Sequence, residues 1–159
     1  MRPYQIFAAM SPEKCEGFMD KITEESPEAF RETVVSAATA MKFRPQYLLK
    51  QPRAKQIASI RRALSRVGSN QLAEELFAVY FLKCRLPLLE EWLDLMKLEH
   101  EEGILQAEEI PCPDAGDLKK GVDQFLGADD DDDRALLLQV FSAQASIEWP
   151  ALEELIASN

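Results

Sequence analysis

The stretch Arg53–Val67, RAKQIASIRRALSRV, decides the fold. Its apolar residues Ile57, Ile60, Leu64 and Val67 recur at helical spacing. At about 100° per residue, Lys55, Ser59, Arg62 and Arg66 fall on the opposite face. Gly68 follows as a helix stop. The spacing predicts an amphipathic helix with a basic outer stripe, and the same 3.6-residue period recurs along most of the chain.

Upstream, Ser11-Pro12-Glu13 and Ser26-Pro27-Glu28 each place a hydroxyl at the N-cap, a proline at the first helical position and a carboxylate in the first turn. The apolar stripes that follow are Cys15, Phe18, Met19 and Ile22 in the first case, and Phe30, Val34, Ala37, Ala38 and Met41 in the second. Beyond the shared opening the two segments do not match, so they are two uses of one cap and not an internal repeat. Pro45 and Pro52 bracket room for one helical turn carrying Tyr47, Leu48 and Leu49.

Downstream, Ser69 or Asn70 caps a helix to about Cys84, with a wide apolar arc of Leu72, Leu76, Phe77, Tyr80, Phe81 and Cys84. After Pro87 the pattern resumes over Leu88–His100 through Leu88, Leu89, Trp92, Leu93 and Met96, and ends at Gly103. Residues 104–116, with Pro111, Cys112 and Pro113, have no usable period and read as a long loop. Helices over Asp117–Leu126 and Arg134–Ala145 follow, with a last turn or two from Pro150 to Ile156. Trp92 falls on the apolar arc of its helix, and Trp149 is placed to pin the C-terminal turn. No segment alternates apolar and polar residues with period two, and no hairpin dipeptide sits between apolar runs. The expected fold is all-α, an irregular bundle of about seven or eight helices forming one domain over 1–159, with a loop at 104–116.

The composition supports a packed protein: 47% of residues are hydrophobic and only six are glycine. Cys15, Cys84 and Cys112 are odd in number and far apart, which points to reduced thiols and a cytoplasmic setting. Charges interrupt every apolar run before the roughly 18 residues of a membrane span, so no membrane partner is expected.

The charge map is the strongest functional signal. The chain has a formal net charge of -10, yet Thr33–Ala73 contains no Asp or Glu and eight bases: Lys42, Arg44, Lys50, Arg53, Lys55, Arg61, Arg62 and Arg66. No acid lies within helical reach of the stripe, so Lys55, Arg62 and Arg66 lack i, i+4 partners in their own helix. Phe43 and Tyr47 add aromatic rings to this basic segment, a composition that suits stacked bases and phosphates. Against nucleic acid stands the acidic remainder, ten bases against 28 acids, which repels a phosphate backbone. A helix-turn-helix across Ile57–Phe81 fails because its second helix presents Glu74, Glu75 and large apolar residues.

Other chemistries find little support. An EF-hand loop starting at Asp129 has Arg134 where glycine is needed and Val140 where the bidentate glutamate is needed. The run Asp129–Asp133 instead reads as carboxylates preceding a helix and favoured by its dipole. His100 is the only histidine, the cysteines show no Cys-x-x-Cys spacing, and no glycine-rich phosphate loop is present. No catalytic, metal or cofactor site is therefore assigned, and a non-enzymatic role is expected.

Glu99, Glu101 and Glu102, read as the C-terminal end of a helix, are unfavourably placed against its dipole and call for a cationic counterpart. The stripe is the candidate, within the subunit or across a dimer. The sequence thus points to a protein that binds a partner, or itself, through Lys55, Arg62 and Arg66 flanked by Arg61 and Arg53, with Glu99, Glu101 and Glu102 as an acidic counterpart. The alternative is nucleic-acid binding by the same segment.

Overall fold

In the computed structural model, which describes all residues from Met1 to Asn159, ten α-helices account for nearly all regular structure. The all-α expectation holds, with one two-stranded hairpin as the exception. The contacts gather in two compact units: Arg2–Cys84 and, with Met1, Arg85–Asn159.

The N-terminal unit contains α1 (Pro3–Ala9), α2 (Pro12–Glu25), α3 (Pro27–Ala40), α4 (Pro45–Leu49), α5 (Arg53–Leu64) and α6 (Asn70–Val79). Both predicted caps form, with Ser11 Oγ accepting from Lys14 N at 3.1 Å and Ser26 Oγ accepting from Ala29 N at 3.2 Å. Helix α5 ends at Leu64, earlier than the sequence suggests, because the backbone turns at Ser65; Gly68 lies in a following 3₁₀ turn, Val67–Ser69. Ser69 occupies the N-cap position of α6 without a capping bond, while Asn70 reaches back so that its Oδ1 accepts from Tyr4 N. Helix α6 runs on into a wide π turn, Tyr80–Cys84. Four aromatic rings close the core: Phe7 stacks on Phe77 at 4.5 Å and Phe18 on Tyr80 at 4.1 Å, with Phe18 edge-on to both Phe7 and Phe77.

Helix α3 ends without glycine. Lys42 adopts the left-handed conformation (φ 61°), and the amide of Phe43 reaches Ala38 O at 2.8 Å, closing a Schellman turn. Helix α7 (Leu86–Leu95), in the second unit, ends the same way, with Lys97 at φ 57° and Leu98 N bonded to Leu93 O.

That ending corrects the predicted helix over Leu88–His100. Residues His100–Glu101 (β1) instead pair antiparallel with Ile104–Leu105 (β2). Glu102 and Gly103 at the tip both hold positive φ, 50° and 85°, as a two-residue hairpin loop requires. The acidic cluster therefore does not terminate a helix, and the dipole argument for a cationic counterpart falls. The second unit is completed by α8 (Ala115–Leu126), α9 (Asp133–Ala143) and α10 (Pro150–Ser158). Its core is aromatic too. Trp92 packs on Phe125 and Phe141, and Trp149 packs on Phe141 while its Nε1 donates to Ile110 O at 2.9 Å.

The aspartate run belongs to this architecture. Asp129 accepts from the amide of Asp131, and Asp131 from the amide of Asp133, two consecutive side-chain turns that lead into α9. Arg85 binds Asp131 and, at 2.7 Å, Asp133. Arg134, only 6% exposed, binds Asp129 in a fork, Glu91, and the carbonyl of Phe125, and lies over the Phe125 ring at 4.8 Å. Two arginines thus fasten the loop before α9 to α7 and α8. The hydrogen bond from Arg134 holds the Asp129 carboxyl below the usual carboxylate range, and that from Arg85 does the same for Asp131.

Candidate functional site

The basic residues singled out from the sequence separate into two groups. Arg53 and Arg61 are ties within the unit. Arg53 Nη2 donates to Asp20 Oδ1 at 2.9 Å and to Thr23 Oγ1 at 2.8 Å, and its guanidinium lies over the Phe30 ring at 4.4 Å. Arg61 Nε donates to Met10 O at 3.0 Å, joining α5 to the chain between α1 and α2. Their roles are partly those of struts.

Lys55, Arg62 and Arg66 form the second group, and all three are exposed. Lys55 Nζ donates to Tyr47 Oη at 3.1 Å, at the hydroxyl end of the ring. Arg62 and Arg66 have no carboxylate of their own unit within ion-pair distance. Arg66 lies beyond the helix end, with extended backbone, so the stripe is helical only from Lys55 to Arg62.

Beside this stripe runs a groove of about 520 Å³, walled on one side by Ala54, Ile57, Ala58, Arg61, Arg62 and Ser65 of the α5 segment and on the other by Ala8, Pro12 and Glu16. The geometry follows from helical spacing. Ala54, Ala58, Arg61 and Ser65 recur at i, i+4, i+7 and i+11 and share one line on α5, while Ile60 and Leu64 face the core. Lys55 and Arg62 lie about 80–100° around the helix from that line, and of the two Arg62 lines the groove as its basic bank. Small side chains keep the groove open. The alanines 54 and 58 carried no signal in the sequence reading, because alanine is at home on any helical face.

The rest of the basic segment is also at the surface. Lys42, Arg44 and Lys50 are exposed, and Phe43 and Tyr47, 39% and 47% exposed, meet edge to face with centroids 6.0 Å apart. By unit, the same division of charge persists, though less steeply than between the basic segment and the rest of the chain. Arg2–Cys84 holds 13 of the Lys and Arg residues against nine acids, and Arg85–Asn159 holds five against 19.

In that second unit Glu99, Glu101 and Glu102 are exposed around the hairpin. His100 is committed to its surroundings, since Nδ1 accepts from Gly103 N at 3.2 Å and Nε2 lies 2.7 Å from Asp94 Oδ1. Gly103 N thereby fixes the tautomer with the proton on Nε2. The cysteines differ in access. Cys15 is buried, and burial pushes its thiol up to about 11; Cys84 reaches Lys21 O at 3.7 Å; Cys112 is exposed. A second groove, of about 510 Å³, lies between the end of α7 and the 105–113 segment, with Met96, Leu98, Ile110 and Cys112 among its lining.

No helix is long and apolar enough to cross a membrane. No protein family, curated protein or solved structure matches the chain.

Proposed function

We propose that the Arg2–Cys84 unit is a non-enzymatic docking module, which takes an acidic segment of a partner protein on the α5 groove and its basic bank. The observation that carries this reading is the position of Arg62. It is exposed on the bank of a groove with small apolar walls, with no carboxylate of its own unit within ion-pair distance. Charges placed this way accelerate encounter and fix register, while affinity comes from apolar groups buried in the groove beside them.

A second reading, nucleic-acid binding, draws on Phe43 and Tyr47, exposed rings beside Lys55. It is the weaker of the two. The hydroxyl of Tyr47 is already engaged by Lys55, and the remaining unit adds 19 acids against five bases.

The test is affinity capture from the native cell with and without nuclease, comparing wild type with the triple variant Lys55→Glu, Arg62→Glu, Arg66→Glu after a folding check by circular dichroism. A nuclease-resistant partner lost in the variant is expected. Material removed by nuclease would favour the second reading, and capture indifferent to the triple variant would end both.

A further inference from the structure

From the polarity of the α5 groove we infer that its occupant is an amphipathic helix, lying antiparallel to α5 with its acidic first turn against Arg61 and Arg62; this rests on the docking reading above. Three observations lead there.

The first is length. The α5 positions on the groove run from Ala54 to Ser65, eleven steps of about 1.5 Å, or roughly three helical turns. A groove that tracks one helix for this distance matches a second helix laid along it, which presents anchors at i, i+3 or i+4, and i+7.

The second is wall chemistry. Ala8, Ala54, Ala58 and Ser65 contribute almost no side-chain bulk, so the volume of about 520 Å³ must be filled from the other side. Leu, Met or Phe at the anchor positions of the occupant does this, and the small walls admit its backbone closely.

The third is charge order. Both guanidinium groups, Arg61 and Arg62, belong to the last turn of α5, whereas at the start of the groove the cation Lys55 is outside the lining and bonded to Tyr47 Oη. Arg61 uses Nε for Met10 O and lines the groove with no carboxylate bonded to its guanidinium. A helix is most stable with carboxylates in its first turn and cations in its last. The occupant therefore satisfies its own dipole and the arginines together only when its first turn lies at the C-terminal end of α5. The parallel orientation would put its carboxylates in the turn where its own dipole opposes them. Glu16 on the facing wall adds a further constraint, namely that the flank of the occupant turned toward α2 is neutral or basic.

The test uses two fluorescein-labelled helical peptides of about 16 residues, long enough to span the groove. Both have Leu at i, i+4 and i+7 and the same composition, with three Glu in the first turn of one and in the last turn of the other. Binding to the full chain is read by fluorescence anisotropy. The acid-first peptide is expected to bind at least about tenfold more tightly than the acid-last one, and Arg62→Glu to remove most of that preference. Ala58→Trp, a change at an exposed position that fills the groove without touching the core, is expected to block both. Equal binding of the two peptides, both blocked by Ala58→Trp, overturns the orientation and leaves the docking reading standing. Binding of neither, or binding indifferent to Ala58→Trp, overturns the helical occupant. Capture of a partner that still depends on the basic residues would then show that the docking reading survives it.

Discussion

Removing the Arg134 side chain should destabilise the C-terminal unit by about 3 kcal/mol, although no sequence pattern marks this residue as structural. Arg134→Ala takes away the donor to the carbonyl of Phe125, which sits in a buried environment, at about 1.5 kcal/mol for a charge-assisted bond whose acceptor is left unpaired. It also removes the guanidinium over the Phe125 ring, at about 0.5–1 kcal/mol, and the packing of the buried three-carbon stem, at about 1 kcal/mol. The ion pairs add little to this total, because Asp129 and Glu91 are about half exposed, at 54% and 48%, and rehydrate when released. Urea unfolding followed by tryptophan emission is the assay, since Trp92 and Trp149 are the only tryptophans and both belong to this unit. Arg134→Met keeps most of the stem and should lose about 2 kcal/mol, which separates packing from polar contacts. A loss below about 1 kcal/mol for Arg134→Ala would refute the clamp, because even its buried bond to Phe125 would then contribute nothing.

Four further outcomes are expected. Replacing Lys42 or Lys97 by glycine should stabilise the protein by about 0.5–1 kcal/mol each in thermal melts, because both hold a left-handed conformation that glycine adopts without strain. Ser11→Ala and Ser26→Ala should each lower stability by about 1 kcal/mol in urea titrations, through loss of the caps on α2 and α3. Asp129 and Asp131 have folded-state pKa values below the unfolded ones, so their contribution is full above the unfolded carboxylate value of about 3.9 and is lost as pH falls through the folded values. The urea midpoint by tryptophan emission should accordingly hold from neutral pH to about 5 and drop below about 4, more shallowly in Asp129→Asn, Asp131→Asn. Toward a thiol reagent at mildly alkaline pH, Cys112 should react first and Cys15 only on unfolding, as mass mapping of the labelled chain would show.

The sequence made visible what depends on neighbours within a few residues. The caps at Ser11 and Ser26 and the stripe Ile57, Ile60 and Leu64 form where their spacing predicts, because capping and facial periodicity are local properties. Helix α1 is not legible in the sequence, because seven residues with Pro3, Ile6 and Phe7 as the buried ones are too few to establish a period. The end of α7 is not legible in the sequence because Lys97, not glycine, supplies the left-handed residue, and the first glycine downstream, Gly103, forms the hairpin tip instead of a helix stop. The clamp was out of reach for another reason, since Arg85 and Asp131 are 46 positions apart and nothing local ties them. At the candidate site the basic bank was legible as a charge pattern, whereas the groove beside it is made by the approach of Ala8, Pro12 and Glu16 from other helices.

The π turn at Tyr80–Cys84 has a consequence for how the protein opens and closes in time. The turn buries two consecutive aromatic residues, Tyr80 and Phe81, at 1% and 3% exposure, and breaks the i→i+4 pattern that α6 keeps before it. The chain passes from one compact unit to the other at the end of this turn, between Cys84 and Arg85. The change of helical pattern thus falls where one set of contacts ends and the next begins. Amide hydrogen exchange should trace that seam, with the amides that follow the turn opening ahead of the blocks on either side, and with each block closing as its own cooperative unit.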